Sequence, residues 1–180
     1  MEWMEGKELT QMLEKMHGNM RENAIRYMVY VLASALNELH KQGCIHRDVK
    51  SDNILCRPDG TIKLSDLGLT VFLSSQKRFA KSIKGTSIFY APEIVEGKIY
   101  TRSVDYWAFG CFMYEMANGR PPFTEDDDSD KDIYERILEE EVKGHPDRHE
   151  DFNDIMLTQL SKDSQDRISM EQVLDHKYIR

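Results

Sequence analysis

The sequence predicts a mainly helical domain that contains one small β-hairpin. Within 21–42, apolar residues recur mostly at steps of three and four, which places them on one helix face. Within 103–118, apolar residues surround almost the whole circumference, a pattern typical of a buried central helix. Two apolar triplets, 54–56 and 62–64, flank the turn-forming Pro58-Asp59-Gly60 and predict the hairpin.

Glycines are expected to end the two long helices. Gly43 follows the first and Gly119 the second, and glycine tolerates the left-handed conformation that closes a helix. Ser169 with Gln172 three residues later is a capping-box signature, which marks the start of another helix. This helix is predicted at 169–176. Two more short helices are predicted in the second half of the chain, at 131–142 and 151–160.

The composition is typical of a globular protein of one domain. The chain has 180 residues, of which 40% are apolar and 31% charged, and its net charge is −8. This acidity argues against a general nucleic-acid binder, which favours a basic face. No apolar run approaches the roughly 20 residues of a membrane span, and the acidic N-terminus does not resemble a signal peptide. Three cysteines without disulfide or metal spacing favour a reducing compartment, so we expect a cytoplasmic protein, with the nucleus left open.

The segment between the first long helix and the hairpin contains groups suited to phosphoryl transfer. Asp48, Lys50 and Asn53 provide a carboxylate, an ammonium and an amide within six positions. Phosphoryl transfer needs an acceptor for the substrate hydroxyl proton, a cation for the migrating group and oxygen ligands for Mg²⁺. Asp66, two residues after the hairpin, is a second hard oxygen ligand, and Gly68 allows a sharp turn beside it.

These residues resemble the signature elements of eukaryotic protein kinases. His46-Arg47-Asp48 followed by Asn53 is similar to the catalytic loop of that family, and Asp66-Leu67-Gly68 is similar to its Asp-Phe-Gly element. Further along, the chain has Ala91-Pro92-Glu93, a central-helix segment at 105–110 and Asp166-Arg167, in the family's order. Lys50, followed by Ser51, is typical of Ser/Thr kinases, and the amino-acid sequence of the loop is similar to that of PAK-like kinases. The resemblance implies the larger, mainly helical lobe of the kinase fold, with the hairpin between the two loops.

The resemblance implies a role for each site residue. Asp48 would be the catalytic base, or the group that orients the attacking hydroxyl. Lys50 would neutralise charge on the transferred phosphoryl group of ATP. Asn53 and Asp66 would hold Mg²⁺. Thr86 would form hydrogen bonds with both the base and the lysine.

Two further sites follow from the same resemblance. Backbone groups of Glu2 and Met4, in a hinge-like segment at the start of the chain, would meet the adenine edge of ATP, and Leu55 would lie beneath the ring. Ser82, in an activation segment at 69–90, would be phosphorylated by an upstream kinase and would then bind Arg47. The substrate would be a protein that presents a serine or threonine hydroxyl.

Other matches read as scaffold. Asp105 would hold the backbone of the catalytic loop, and Glu93 with Arg167 would form a buried ion pair. His46 is expected to be packed and hydrogen-bonded rather than to act as a base. Ser87 stands where proline is common in the family.

The match also has a gap. No Gly-x-Gly-x-x-Gly motif and no strand lysine precede the catalytic loop, so residues 1–180 are expected to comprise the hinge and helical lobe without the smaller lobe. Weak nucleotide binding and little or no transfer by this chain alone would follow. Three alternatives stay open: a piece of a longer kinase, a non-catalytic module that docks partners through 132–141, and a fragment that works with a separate small lobe.

Overall fold

In a computed structural model, which describes residues 7–16, 20–73, 79–82 and 84–180, helices surround one long buried helix. The helices are α1 (Leu9–Met16), α2 (Glu22–Lys41), α3 (Pro92–Val95), α4 (Ser103–Asn118), α5 (Asp130–Glu139), α6 (Glu150–Gln159) and α7 (Met170–Asp175). The strands are β1 (Lys7–Glu8), β2 (Cys44–Ile45), β3 (Ile54–Cys56), β4 (Ile62–Leu64) and β5 (Val71–Phe72). The hinge-like residues Glu2 and Met4 lie outside the described residues.

Helix α4 is the centre of the core, with the bounds that the sequence predicts. Trp107, Phe109 and Phe112 are fully buried, and almost every other residue of the helix is buried as well. The helix lacks a polar face because α2, α6 and the turn at 87–89 contact it from different sides. It closes on Gly119, whose φ of 78° is the left-handed conformation expected there.

Helix α2 packs one apolar face against α4 and α7. Its buried positions include Ile25, Leu32 and Leu36, as the spacing predicts, whereas Tyr27 and Tyr30 on other faces are about half exposed. The helix ends one residue before Gln42, and Gly43 follows with a φ of 74°. The chain therefore turns sharply at this point and enters β2.

The predicted hairpin forms from β3 and β4, which are antiparallel with Ile54 opposite Leu64. Two pairings were not expected from the sequence. Strand β1 adds to β3 as a third strand, and β2 pairs with β5, which sets Cys44 opposite Phe72. Strands of two residues are too short to show an alternating pattern. Their effect is to fix the ends of the two loops, 46–53 and 65–70, beside each other.

The shorter helices follow the predictions with three differences, one of which is that α3 was not predicted. Helix α5 ends three residues before the predicted 142, because carboxylates at 139–141 are unfavourable at the negative end of a helix. Helix α1 was not predicted, although Leu9 and Leu13 bury one side of it. The capping box of Ser169 is present. All three cysteines are buried and unpaired, and no helix in the described ranges is long and apolar enough to cross a membrane.

Candidate active site

Asp105, in the first turn of α4, holds the backbone of the loop at 46–48. Its Oδ1 accepts a hydrogen bond from the Arg47 backbone N at 2.8 Å, and its Oδ2 accepts one from the His46 backbone N at 2.8 Å. The Nε2 of His40 lies 2.7 Å from the same Oδ2. Asp105 is fully buried, so the loop is attached to the most buried helix by a desolvated carboxylate.

The loop needs this support because its backbone is strained. Arg47 has a φ of 71°, in the left-handed region that non-glycine residues seldom occupy. The adjacent His46 is fully buried, with Nε2 3.2 Å from the Ser65 carbonyl oxygen, so it is a packed residue as predicted. The conformation turns the next side chain, Asp48, toward the turn at 85–90.

Four of the predicted site residues meet at the Asp48 carboxylate. The Nδ2 of Asn53 donates to Asp48 Oδ2 at 2.9 Å, and the same nitrogen donates to the Asp48 carbonyl oxygen at 2.7 Å. The backbone N and Oγ1 of Thr86 donate to Asp48 Oδ1 at 3.2 and 3.0 Å. The Nζ of Lys50 lies 3.3 Å from Oδ2. Both carboxylate oxygens therefore have fixed partners.

Thr86 also joins the carboxylate to the cation. Lys50 Nζ donates to Thr86 Oγ1 at 2.6 Å, while the hydroxyl of Thr86 donates to Asp48. The single hydroxyl of Thr86 thus orients both the Asp48 carboxylate and the Lys50 ammonium. Thr86 itself comes from a segment 36 residues after Lys50 in the sequence.

The environment of Asp48 keeps its carboxylate ionised. Burial alone would raise the pKa of Asp48, but the hydrogen bond from Asn53, the charge of Lys50 and the hydrogen bond from Thr86 outweigh it, and the pKa lies below its ordinary value. An ionised carboxylate with a low pKa is a weak proton acceptor. Asp48 is therefore better suited to orient a hydroxyl group that donates to it than to remove the proton of that group.

Gly85 allows the turn to come this close. Its φ is 112°, and a Cβ at this position would lie 2.4 Å from the carbonyl oxygen of Arg47. Any larger residue would push the turn and the loop apart. Glycine therefore sets the distance between Thr86 and Asp48.

Asp66 follows the hairpin in the left-handed conformation, with a φ of 58°, and its Oδ1 accepts a hydrogen bond from the Gly68 backbone N at 3.0 Å. Its side chain is exposed. The backbone N and Oγ of Ser65 donate to the carbonyl oxygen of Asn53 at 2.8 and 2.9 Å, which ties the two loops together. Leu55, half-buried in β3, lies two residues from Asn53.

The residues present fit a hard divalent cation. The amide nitrogen of Asn53 is engaged by Asp48, which leaves its carbonyl oxygen for a metal, and Asp66 offers an exposed carboxylate. Among the described residues, no three side chains of His, Cys, Asp or Glu come together as a metal site. Two oxygen donors match Mg²⁺, which takes few protein ligands and completes its shell with water and phosphate oxygens.

The side chain of Arg47 reaches Ser82. Its Nη1 donates to Ser82 Oγ at 2.8 Å and to the Tyr100 hydroxyl at 3.2 Å, while its Nε donates to the Leu69 carbonyl oxygen at 2.6 Å. The Tyr100 hydroxyl in turn donates to the Ser82 carbonyl oxygen at 2.7 Å. Ser82 is exposed. The sequence predicts a contact of Arg47 with phosphorylated Ser82; the structure has the unmodified hydroxyl within hydrogen-bond distance, and the phosphorylation stays a prediction. Tyr100 had no sequence signal.

Glu93 and Arg167 form the expected buried pair. The guanidinium donates two hydrogen bonds to the carboxylate, at 2.8 and 2.9 Å, and a third at 3.0 Å to the Ser103 carbonyl oxygen. Both side chains are buried, so water cannot solvate either charge if its partner is removed. The pair joins α3 to the segment between α6 and α7, and the bond to Ser103 adds the start of α4.

Glu115, another buried carboxylate near the site, was missed by the sequence reasoning. Glu115 of α4 accepts a hydrogen bond from Ser51 Oγ at 2.9 Å, and Ser51 accepts one from Thr10. Burial raises the pKa of Glu115 to about 7, against the hydrogen bond from Ser51, and the charge of Asp52 adds to the rise. An acidic residue in the apolar second half of a buried helix is the signal that could have identified it.

The family of the chain follows from comparison with known proteins. A family model described as "Protein kinase domain" matches residues 1–179. The chain belongs to the protein kinase family. It is 39% identical to an Aurora kinase of Schizosaccharomyces pombe over 172 residues, which is 96% of this chain and 47% of the relative.

Other relatives bear the names of serine/threonine kinases. The chain is 35% identical over 187 residues to serine/threonine-protein kinase pakB of Dictyostelium discoideum, covering 100% of this chain and 21% of the relative. It is 42% identical over 123 residues to serine/threonine-protein kinase PAK 5 of Rattus norvegicus, covering 68% of this chain and 17% of the relative. The chain thus spans about half, or less, of the length of these relatives. The predicted membership of the Ser/Thr protein kinase family, with PAK-type relatives, is confirmed. Members of this family generally use ATP and Mg²⁺.

Proposed function

We propose that residues 1–180 provide the hinge and the helical lobe of a serine/threonine protein kinase. Their site would transfer the γ-phosphoryl group of ATP to a serine or threonine hydroxyl of a protein substrate. The main support is the single hydroxyl of Thr86, which bonds both Asp48 and Lys50. The same cluster holds the Lys50 ammonium 3.3 Å from the buried Asp48 carboxylate, so both charges are available at one place.

Asp48 orients the substrate hydroxyl. Its carboxylate is ionised, and both of its oxygens are held by donors, so it accepts the hydroxyl hydrogen in one geometry. The low pKa means that the proton moves to Asp48 only late in the transfer, as negative charge leaves the attacking oxygen. Asn53 holds the carboxylate from the other side and keeps it from rotating.

Lys50 and the metal-binding oxygen atoms of Asn53 and Asp66 would neutralise the negative charge of the phosphates. Lys50, fixed by Thr86, presents its ammonium where negative charge is transferred. Asn53 and Asp66 would hold Mg²⁺, which when bound neutralises the phosphate oxygens. Leu55 would pack beneath the adenine, and backbone groups of Glu2 and Met4 would meet its edge.

Ser82 would be the regulatory residue. Its hydroxyl is exposed, and it lies within hydrogen-bond distance of the Arg47 guanidinium. A phosphate added there by an upstream kinase would offer several acceptor oxygens to a fork of donors, and so would order the segment around it. Because Arg47 precedes Asp48, that order would reach the catalytic loop directly.

The 180 residues by themselves would bind ATP weakly and transfer phosphate slowly or not at all. They contain no Gly-x-Gly-x-x-Gly motif. In kinases such a loop covers the phosphates and a strand lysine orients them. We propose the cytoplasm, with the nucleus left open, as the place of action.

A phosphate-transfer assay tests the proposal. A fusion of this chain with the smaller lobe of a related serine/threonine kinase, called the longer kinase below, would be given labelled ATP and a serine peptide, and its Asp48→Asn variant would be compared with it. We expect the variant to lose about a hundredfold or more of the rate. Asp59→Asn, an exposed change in the hairpin turn, is the matched control and should keep the wild-type rate. Equal rates for all three proteins would contradict the proposal.

A further inference from the structure

Helix α5 contacts the turn that presents Thr86 at two points. Asp130 Oδ1 accepts a hydrogen bond from Ser87 Oγ at 2.9 Å. One helical turn later, the ring of Tyr134 stacks on that of Tyr90, with centroids 6.2 Å apart and planes at 21°. These positions flank Thr86 on its C-terminal side, so the helix holds the turn at 85–90 from outside the catalytic cluster.

The inner end of the turn is bonded to itself and to the loop. The Tyr90 hydroxyl donates to the Gly85 carbonyl oxygen at 3.0 Å, and the backbone N of Tyr90 donates to the Ser87 carbonyl oxygen at 3.1 Å. The Thr86 backbone N donates to Asp48 Oδ1. A shift of Ser87 or Tyr90 therefore moves Thr86 relative to Asp48.

Helix α5 is a firm support for this purpose. Ile133 and Ile137 are buried, and Lys162 Nζ donates to the Ile137 carbonyl oxygen at 2.7 Å. Arg136 forms an ion pair with Asp128 and donates to the Phe123 carbonyl oxygen at 3.2 Å. The helix is thus fixed at its inner face and at the segment that precedes it.

We propose that Asp130 is a positioning residue, whose bond to Ser87 holds Thr86 in register with Asp48 and Lys50. The inference rests on the proposed function for its effect on catalysis. Ser87 begins a turn of the 3₁₀ type and carries no ring that would fix its φ, so the hydroxyl-to-carboxylate bond supplies the restraint. Asp130 itself touches none of the reacting groups.

A proline at 87 offers a test by rescue. Thr86 has φ −94° and ψ 124°, the extended conformation required before proline. The backbone hydrogen bonds between described residues do not use the Ser87 N–H, so a proline ring removes no such bond. Ser87→Pro should restrain the turn without Asp130.

Hydrogen exchange of the backbone amides of Thr86, Phe89 and Tyr90 measures the restraint without any need for activity. In Asp130→Ala we expect these amides to exchange roughly threefold to tenfold faster, the effect of one lost hydrogen bond. The control is Asp126→Ala, which removes the same charge from an exposed position in the same acidic segment and should leave the amides unchanged. Adding Ser87→Pro to Asp130→Ala should return exchange close to the wild-type rate. Exchange in Asp130→Ala that equals the control, or no rescue by proline, would overturn the inference.

Kinetics of the longer kinase separate positioning from loss of structure. Asp130→Ala should lower kcat for peptide phosphorylation by a factor similar to the exchange effect and leave the KM for ATP unchanged, with recovery of kcat in the proline double variant. An unchanged kcat would contradict positioning. If the wild-type protein transfers no phosphate while the exchange results hold, the proposed function fails and the restraint stands. If transfer occurs and exchange is unaffected by Asp130→Ala, the restraint alone fails.

Discussion

Asp105→Asn tests how the loop at 46–53 is attached to the core. The carboxylate accepts backbone hydrogen bonds from His46 and Arg47 on different oxygens, and His40 contacts one of these. Asparagine has one carbonyl oxygen and one NH₂ group. Either orientation of its amide leaves one of the two backbone N–H groups facing another donor in a fully buried site.

The cost can be worked from these bonds. One backbone hydrogen bond changes from a charged to a neutral acceptor, which weakens it by about 1 kcal/mol, and the other N–H, buried and unsatisfied, costs about 1–3 kcal/mol. The free energy of unfolding should therefore fall by about 2–4 kcal/mol, a large part of the roughly 5–15 kcal/mol of an ordinary domain. Urea unfolding followed by circular dichroism measures the change, with the slope against urea unaltered.

The matched control is Asp175→Asn, which breaks an exposed ion pair with Arg180. It should cost no more than about 1 kcal/mol. If Asp105→Asn cost as little as this control, the carboxylate would not be the attachment described above, and the strained conformation of Arg47 would need another support.

Further expectations concern the ion pair of Arg167 with Glu93, the close contact at Gly85 and the buried carboxylate of Glu115. Arg167→Met should lower the free energy of unfolding by about 3–5 kcal/mol, because Glu93 is left charged and buried; a smaller loss in the double variant with Glu93→Gln checks the cause. Gly85→Ala, which forces a Cβ against the Arg47 carbonyl oxygen, should cost at least about 1–3 kcal/mol in urea unfolding and also lower the rate of phosphate transfer; unchanged values would contradict the close contact. The pKa of Glu115 is raised to about 7, so its contribution is present at low pH and is lost as the pH rises from the unfolded value of 4.5 through 7. Between about pH 5 and about pH 8, the free energy of unfolding in urea should fall by about 3 kcal/mol more in the wild type than in Glu115→Gln, and the same pH dependence in both proteins would contradict the shift.

Local pattern predicted the elements that are long or marked by turns. The bounds of α4 and of both hairpin strands followed from the apolar run at 103–118 and from Pro58-Asp59-Gly60. Periodicity does not detect β2 and β5, because two residues form no pattern and their pairing depends on the turn at Gly43. Helix α5 was placed correctly but given too long an extent, since apolar spacing does not register the repulsion of consecutive carboxylates at a helix end.

Family resemblance led both to the candidate residues and to some contacts between them, such as those of Thr86 with Asp48 and Lys50, whereas other contacts had no signal in the sequence. Asp48, Lys50 and Asn53 were found because they are adjacent in sequence, and family resemblance linked them to Thr86. The bond between Ser87 and Asp130 joins positions 43 residues apart and has no periodic or compositional signature. Such contacts depend on how helices pack in three dimensions, and they become visible only when the packing is known.

The most direct test of the central claim is the single-turnover rate of phosphate transfer in the longer kinase when Thr86 is changed. Thr86→Ser keeps the hydroxyl between Asp48 and Lys50 and should retain a rate near that of the wild type. Thr86→Val has the same shape without the hydroxyl and should lose about a hundredfold or more, because it lacks two hydrogen bonds to charged groups worth about 1.5–3 kcal/mol each. Equal rates for the serine and valine variants would contradict the claim that this hydroxyl unites the two groups into one transfer site.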